Sequence, residues 1–290
     1  MNERAGGDDA RASAAPVSAV PVSAGPASAA PASAARPSAQ PPSVVMFDLD
    51  DTVFAHRDAV DRGIVRHLRQ LGGPFASADP SETVTLWHAL EEEHYHSYLA
   101  GELDFQGQRR ARARDFAAAH GVYLAEAEAA AWYEAYFTHY ESGWRLHDDT
   151  LPCLSALEAA YPGVRFGLIT NAGLASQVQK LRFTGLAERL EHVIASEAAG
   201  FAKPDPRIFL HACTVFEVAP SDAVYVGDRL RTDAIGAAAA GLTGVWLDRR
   251  SAVVDDADAS EAARLGVIRV TDLLALPEAL AARRPFRPAP

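Results

Sequence analysis

Five short, mostly apolar runs constrain the fold of this chain more than any other feature: VVMF (44–47), RFGLIT (165–170), HVIAS (192–196), AVYVGD (223–228) and GVWLD (244–248). Near-continuous apolar runs of this length suit strands of a parallel sheet that is covered on both faces. From the second run onward they alternate with helical patterns at 150–161, 173–184, 206–217 and 231–240. That alternation predicts an α/β fold, a doubly wound parallel sheet with right-handed crossovers. GVIRV (266–270) is a candidate sixth strand before a final helix.

Residues 55–148 break the alternation and read as helices throughout. Gly72, Gly73 and Pro74 end the first helix, and Asp79-Pro80-Ser81-Glu82 opens the second as an N-cap, Pro at N1 and Glu at N3. The predicted organisation is a core over 44–54 and 149–290, with an α-helical cap at 55–148 inserted after the first strand. Residues 1–43 carry Ser13, Ser18, Ser23, Ser28, Ser33, Ser38 and Ser43 in step within an Ala/Pro/Ser background. Pro at this density prevents helix and Ala and Ser bury little, so a disordered tail is expected. Pro16, Pro21 and Pro26 interrupt the apolar core that a signal peptide needs.

Charge narrows the partners. With 27 basic and 38 acidic residues the net charge is −11, which argues against nucleic acid. No run approaches the roughly 18 apolar residues of a membrane span. The two cysteines, Cys153 and Cys213, fall in separate helical segments and read as buried free thiols, which fits a cytoplasmic protein. Composition assigns no oligomeric state.

The polar residues that end the runs share one edge. The first run ends in Asp48-Leu49-Asp50-Asp51-Thr52 and the second in Thr170-Asn171; Lys203 follows the third, and the fourth ends in Gly227-Asp228, with Asp233 beyond. In an open α/β sheet, ligands bind outside the carboxyl ends of the strands, near the point where strand order reverses. Three carboxylates within four positions repel one another unless a cation holds them or they diverge into water. Asp48, Asp50 and Asp228 offer hard oxygen donors suited to Mg²⁺. The Thr170 hydroxyl, the amide near Asn171 and the Lys203 ammonium could hold a phosphate. One carboxylate facing phosphorus can attack it, and another can move the proton. Taken singly, each feature has a plain structural reading as a turn, a helix cap or a solvated charge.

Together, four such groups in order resemble the haloacid dehalogenase-like hydrolase superfamily, in its phosphatase branch with a helical cap, over residues 44–280. The resemblance implies a Rossmann-like core. It implies Asp48 as nucleophile and Asp50 as general acid/base, with the main-chain carbonyl of Asp50 facing the metal. It further implies Thr170, Asn171 and Lys203 at the phosphate, Asp228 as the remaining metal ligand, and Thr52 and Asp233 in support. The expected activity is Mg²⁺-dependent hydrolysis of a small phosphorylated metabolite, a nucleotide or sugar phosphate, through an aspartyl phosphate. Competing readings are carbon–halogen hydrolysis, against which Asp50 argues because a halide leaves without an acid, a phosphomutase, and a non-catalytic binding protein.

Elsewhere the bland reading prevails. His94 and His96, two apart on a helix, point to different faces and do not form a metal site. Arg109, Arg110, Arg112 and Arg114 are expected on a solvated helix face. Trp132, Tyr133, Tyr136, Phe137 and Tyr140 are expected to build the core of the cap.

Overall fold

The computed structural model describes residues 41–282. The predicted tail lies outside the described residues up to position 40, but Ser43 is already tied in. Its N–H donates to Asp222 O (2.9 Å) and its carbonyl accepts from Arg165 N (3.1 Å).

The chain runs β1 (Val44–Phe47), α1 (His56–Leu71), α2 (Pro80–Leu99), α3 (Phe105–Ala119), α4 (Glu126–Glu141), α5 (Thr150–Ala160), β2 (Arg165–Thr170), α6 (Leu174–Phe183) and β3 (His192–Ala195). It continues through α7 (Ser196–Ala199), α8 (Pro206–Val215), β4 (Ala223–Gly227), α9 (Gly236–Ala239), β5 (Thr243–Leu247), α10 (Asp256–Leu265), β6 (Ile268–Val270) and α11 (Leu276–Ala282). The sheet has the order β3-β2-β1-β4-β5-β6, with every neighbouring pair parallel. Strand order reverses at β1, which lies between β2 and β4, so a crevice opens above its carboxyl end. Side chains alternate across the sheet: Val45 and Phe47 enter one apolar cluster with Leu154 and Leu157 of α5, while Val44 and Met46 enter another with Ile208 and Phe209 of α8. Burial on both faces explains why these strands read as continuous apolar runs.

The expected helix at 231–240 is different in its first half. Leu230–Ile235 forms a widened π-type turn and only Gly236–Ala239 is α-helical. Here the Asp233 carboxylate accepts from the main-chain N–H of Arg229 (3.0 Å), which binds the side chain back toward the strand end. Such turns recur at functional sites.

Helices α1 to α4 form the block between β1 and β2. Helix α1 packs on α4, and α2 and α4 both pack on α3. A Cβ at Gly63 of α1 would lie 3.0 Å from the main chain of Tyr140, so the small residue sets the approach of α1 and α4. The chain enters and leaves this block side by side. Ala55 N donates to Arg145 O and His147 N to Val53 O, both at 3.0 Å. Arg249 clamps the junction, donating to both Asp149 oxygens (2.8 and 2.9 Å) and to Thr52 O (3.0 Å).

The aromatic set does build the interior of the block: Trp87 packs on Phe116, Trp132 and Tyr136 at centroid distances of 5.2, 5.6 and 4.6 Å. Arg112 departs from the expected solvated face. It is buried, with its guanidinium 3.8 Å above the Trp87 ring and 2.8 Å from Glu91. A desolvated cation–π contact of this kind is worth about 2 kcal/mol, and the Arg112 side chain swings inward because Glu91 offsets its charge. Arg110 and Arg114 do stay on the outer side, both paired with Glu126. His94 is a packed residue held at 2.8 Å by Asp115. Cys153 and Cys213 are buried free thiols, which burial pushes up to about 12. Among the described residues no helix is long and apolar enough to cross a membrane.

Candidate active site

The register of β1 places Asp48 one residue beyond its paired end, where Asp48 N still donates to Val226 O (2.9 Å). The chain then turns sharply. Thr52, Val53 and Phe54 all direct their amides at Leu49 O (3.3, 3.1 and 2.9 Å), and Asp51 takes a left-handed φ of 63°. Asp51 consequently diverges from its neighbours: its carboxylate accepts from Arg57 N (2.8 Å) at the start of α1 and lies 3.5 Å from Arg250. Thr52 is fully buried and joins two loops. Its hydroxyl faces Asp48 at 3.4 Å and accepts from Asp228 N at 3.0 Å.

Lys203 is the centre of the arrangement. Its ammonium lies 2.6 Å from Asp48 Oδ1 and 2.8 Å from both Asp233 Oδ1 and the Tyr225 hydroxyl. Burial opposes the charge, but Asp233 and Asp48 outweigh it and hold the ammonium firmly protonated. Asn171 positions this lysine by gripping its main chain: Lys203 N donates to Asn171 Oδ1 (2.8 Å), and Asn171 Nδ2 donates to Lys203 O (2.9 Å). The Asn171 side chain is thus committed to fastening the loop after β3 to the loop after β2; the expected phosphate donor at this position is the main-chain amide. Tyr225 was not singled out in the sequence, where it reads as one more buried strand residue. Its hydroxyl, donating to Ile169 O (3.0 Å), is what a buried tyrosine requires, and that need was the available signal.

The carboxylates that converge are Asp48, Asp228 and Asp233, whose oxygens lie within 4.8 Å of one another. Burial, with Asp48 and Asp233 adding repulsion, pushes Asp228 up to about 8. Burial also raises Asp48, to about 6, against the pull of Lys203. Carboxylates crowded this closely, with Asp233 buried and Asp228 half-buried, fit a hard divalent cation, which would relieve both effects. Of the three, Asp233 is the most committed to protein donors, Lys203 and Arg229 N. Gly227 makes room for it, since a Cβ there would overlap the Asp233 side chain. Gly227→Ala is therefore expected to push Asp233 off Lys203 and lower the affinity for added Mg²⁺ by about tenfold or more. Isothermal titration of the folded variant measures this, and wild-type affinity would contradict the packing account.

The Asp50 carboxylate stands outside this cluster. It accepts from Lys180 Nζ at 2.6 Å and from Gln177 Nε2 at 3.0 Å, with His56 Nδ1 at 3.8 Å. Burial works to raise it, yet Lys180 and His56 prevail and bring it down to about 2. Gln177 also donates to the Thr170 hydroxyl (3.2 Å), which in turn accepts from Ala172 N (3.1 Å). Sequence reading passed over Lys180, Gln177 and His56. The signal for the first two was their spacing, three apart on the helix that directly follows Thr170-Asn171, which places them on one face.

A family model described as haloacid dehalogenase-like hydrolase matches residues 42–241. Glyceraldehyde 3-phosphate phosphatase of Methanopyrus kandleri is 29% identical over 207 residues, 71% of this chain and 83% of the relative. Phosphoserine phosphatase of Thermus thermophilus is 40% identical over 112 residues, 39% of this chain and less than half (45%) of the relative. Among solved structures, the HAD-hydrolase YfnB from Bacillus subtilis, bound to magnesium, superposes with a TM-score of 0.65 over 83% of this chain and 99% of that one. At 18% identity, that likeness bears on the fold alone.

Proposed function

The chain belongs to the haloacid dehalogenase-like hydrolase family, and from that premise we propose that it is a Mg²⁺-dependent phosphatase of small phosphorylated metabolites. The observation that carries the reading is the contact of Asp48 with Lys203 beside Asp228, at the point where strand order reverses. A nucleophilic carboxylate, a buried cation for the phosphate and a crowded acidic pair are the parts that phosphoryl transfer needs. Relatives over most of the chain are phosphatases.

Asp48 and Asp228, with the Asp50 main-chain carbonyl, would hold Mg²⁺, which supplies positive charge where a phosphate dianion must approach carboxylates. The protein groups then divide the work. An Asp48 oxygen attacks phosphorus, forming the aspartyl phosphate as the ester P–O bond breaks. Lys180 and His56 hold Asp50 ionised in the free site; the negative charge of the bound phosphate offsets their pull, so that Asp50 takes up a proton from solvent and gives it to the departing alkoxide. In the second step a water oxygen attacks the same phosphorus, its proton passes to Asp50, and the bond to Asp48 breaks. Inorganic phosphate and the free Asp48 carboxylate result, and Asp50 returns its proton to solvent as the phosphate leaves. Lys203 and the Thr170 hydroxyl donate to the non-bridging oxygens as charge builds on them. The helical block α1–α4 serves as the cap, closing over the leaving group and excluding water.

A screen of phosphate release from phosphorylated metabolites, with and without Mg²⁺, tests the reading. Release that requires Mg²⁺ is expected; release from none of them, or full activity after chelation, would refute it.

The cation site also has a signature that does not depend on turnover. Without a cation, Asp48 and Asp228 hold their protons up to about 6 and about 8, against the ordinary 3.8. The folded state then binds more protons than the unfolded one, so these two groups make the protein less stable as pH rises through that window. A cation favours their ionised forms and cancels the loss. Added Mg²⁺ is expected to raise Tm more at about pH 8 than at about pH 6. Equal shifts in a thermal melt at both values would contradict the assignment.

A further inference from the structure

Helix α6 holds the proton-transfer side chain by both of its oxygens. From the geometry we infer that Lys180 is a positioning residue for Asp50, and that Gln177 ties the same carboxylate to the phosphate-binding hydroxyl of Thr170. The inference rests on the phosphatase reading of the site. Lys180 Nζ takes Asp50 Oδ1 at 2.6 Å, and Gln177 Nε2 takes Asp50 Oδ2 at 3.0 Å and Thr170 Oγ1 at 3.2 Å. Lys180 and Gln177 are both buried, and the Lys180 ammonium lies 5.0 Å over the Phe54 ring.

A buried ion pair is a poor source of net stability, because desolvating two charges cancels most of their attraction. What the pair does supply is orientation. Asp50 lies on a turn after β1, whereas both of its donors sit on one helix that follows, after a three-residue loop, the strand ending in Thr170. A single element therefore sets where the phosphate hydroxyl lies and where the proton-carrying carboxylate points. Misplacing a reacting group by about 1 Å can cost about 10²-fold in rate. On the other side, His56 stands at the first residue of α1, 3.8 Å from Asp50 Oδ1 and 3.0 Å from the Tyr140 hydroxyl of α4. The carboxylate is thus held between the core helix and the inserted block, and Lys180 makes the shortest contact to it.

The test is Lys180→Met, which keeps the bulk of the stem and removes the charge, assayed on phenyl phosphate and p-nitrophenyl phosphate. The two esters have similar shapes but leaving groups of different basicity, so protonation of the leaving oxygen matters more for phenyl phosphate. If Lys180 orients Asp50, kcat/KM should fall about tenfold or more on phenyl phosphate and by less than about threefold on p-nitrophenyl phosphate. Asp50→Asn should show the same bias, and the double variant Asp50→Asn/Lys180→Met should lose no more than Asp50→Asn alone. The double variant removes both charges of the pair, so it reports even if Lys180→Met folds poorly. Equal losses on both esters, a gain, or additive losses in the double variant would overturn the role of Lys180 while leaving the phosphatase reading intact. Wild-type protein that releases phosphate from neither ester would overturn both.

Discussion

Asp48→Asn is expected to cut turnover by about 10⁴-fold or more, because an amide oxygen is too weak a nucleophile to form the acyl phosphate. The loss should be catalytic rather than structural. In the wild-type protein Lys203 also pairs with Asp233 at 2.8 Å, a contact that the variant retains, and replacing Asp48 removes one of three crowded carboxylates. Asp50→Asn should behave differently. Each of its two proton transfers is typically worth about 10²–10⁴ in rate. A leaving group such as nitrophenolate departs without the first transfer, while water must still be deprotonated in the second step. Phosphorylated protein should therefore accumulate in Asp50→Asn supplied with p-nitrophenyl phosphate, and never in Asp48→Asn. Intact-mass measurement after a rapid acid quench distinguishes them. Phosphate on Asp48→Asn, or wild-type turnover by Asp50→Asn, would show that the two roles have been assigned wrongly.

Lys203→Met should damage fold and activity together. The wild-type ammonium is buried against two carboxylates, at 2.6 and 2.8 Å. Removing one partner of a buried pair strands the other charge, at a cost of about 3–5 kcal/mol. For a domain of this size that corresponds to a fall in Tm of roughly 10 °C. Added Mg²⁺ should recover part of that loss, since it offers Asp48 and Asp228 another positive partner, but not the activity, because the phosphate oxygens still lack their donor. A variant that melts within about 2 °C of wild type would mean that the Lys203 contacts contribute little to the fold.

How much of this was legible in the sequence depends on the range of the forces involved. The strands were legible because burial on both faces demands continuous apolar residues, and VVMF, RFGLIT and AVYVG meet that demand locally. The N-cap at Asp79 was legible for a similar reason: it accepts from amides two and three residues ahead, a bond that local chain geometry can specify. The gathering of Asp48, Thr170, Lys203 and Asp228 followed from strand ends in a parallel sheet, which topology brings to one edge.

Tertiary structure decided the rest, because direction at a strand end depends on partners far along the chain. Asp48, Asp50 and Asp51 are near neighbours in sequence, yet Lys203 draws the first, Lys180 the second and the Arg57 amide the third. Arg112 and Arg114 sit on one helix, and only the one that meets Glu91 and Trp87 is buried. The Asn171 side chain turns to the main chain of Lys203, 32 residues away, a partner that no local pattern specifies. By itself the sequence determined which residue types arrive at the sheet edge, since apolar patterning and chain connectivity are local instructions. Which carboxylate meets which cation was settled only by long-range packing, since desolvation and Coulomb energy depend on three-dimensional distance and not on sequence separation.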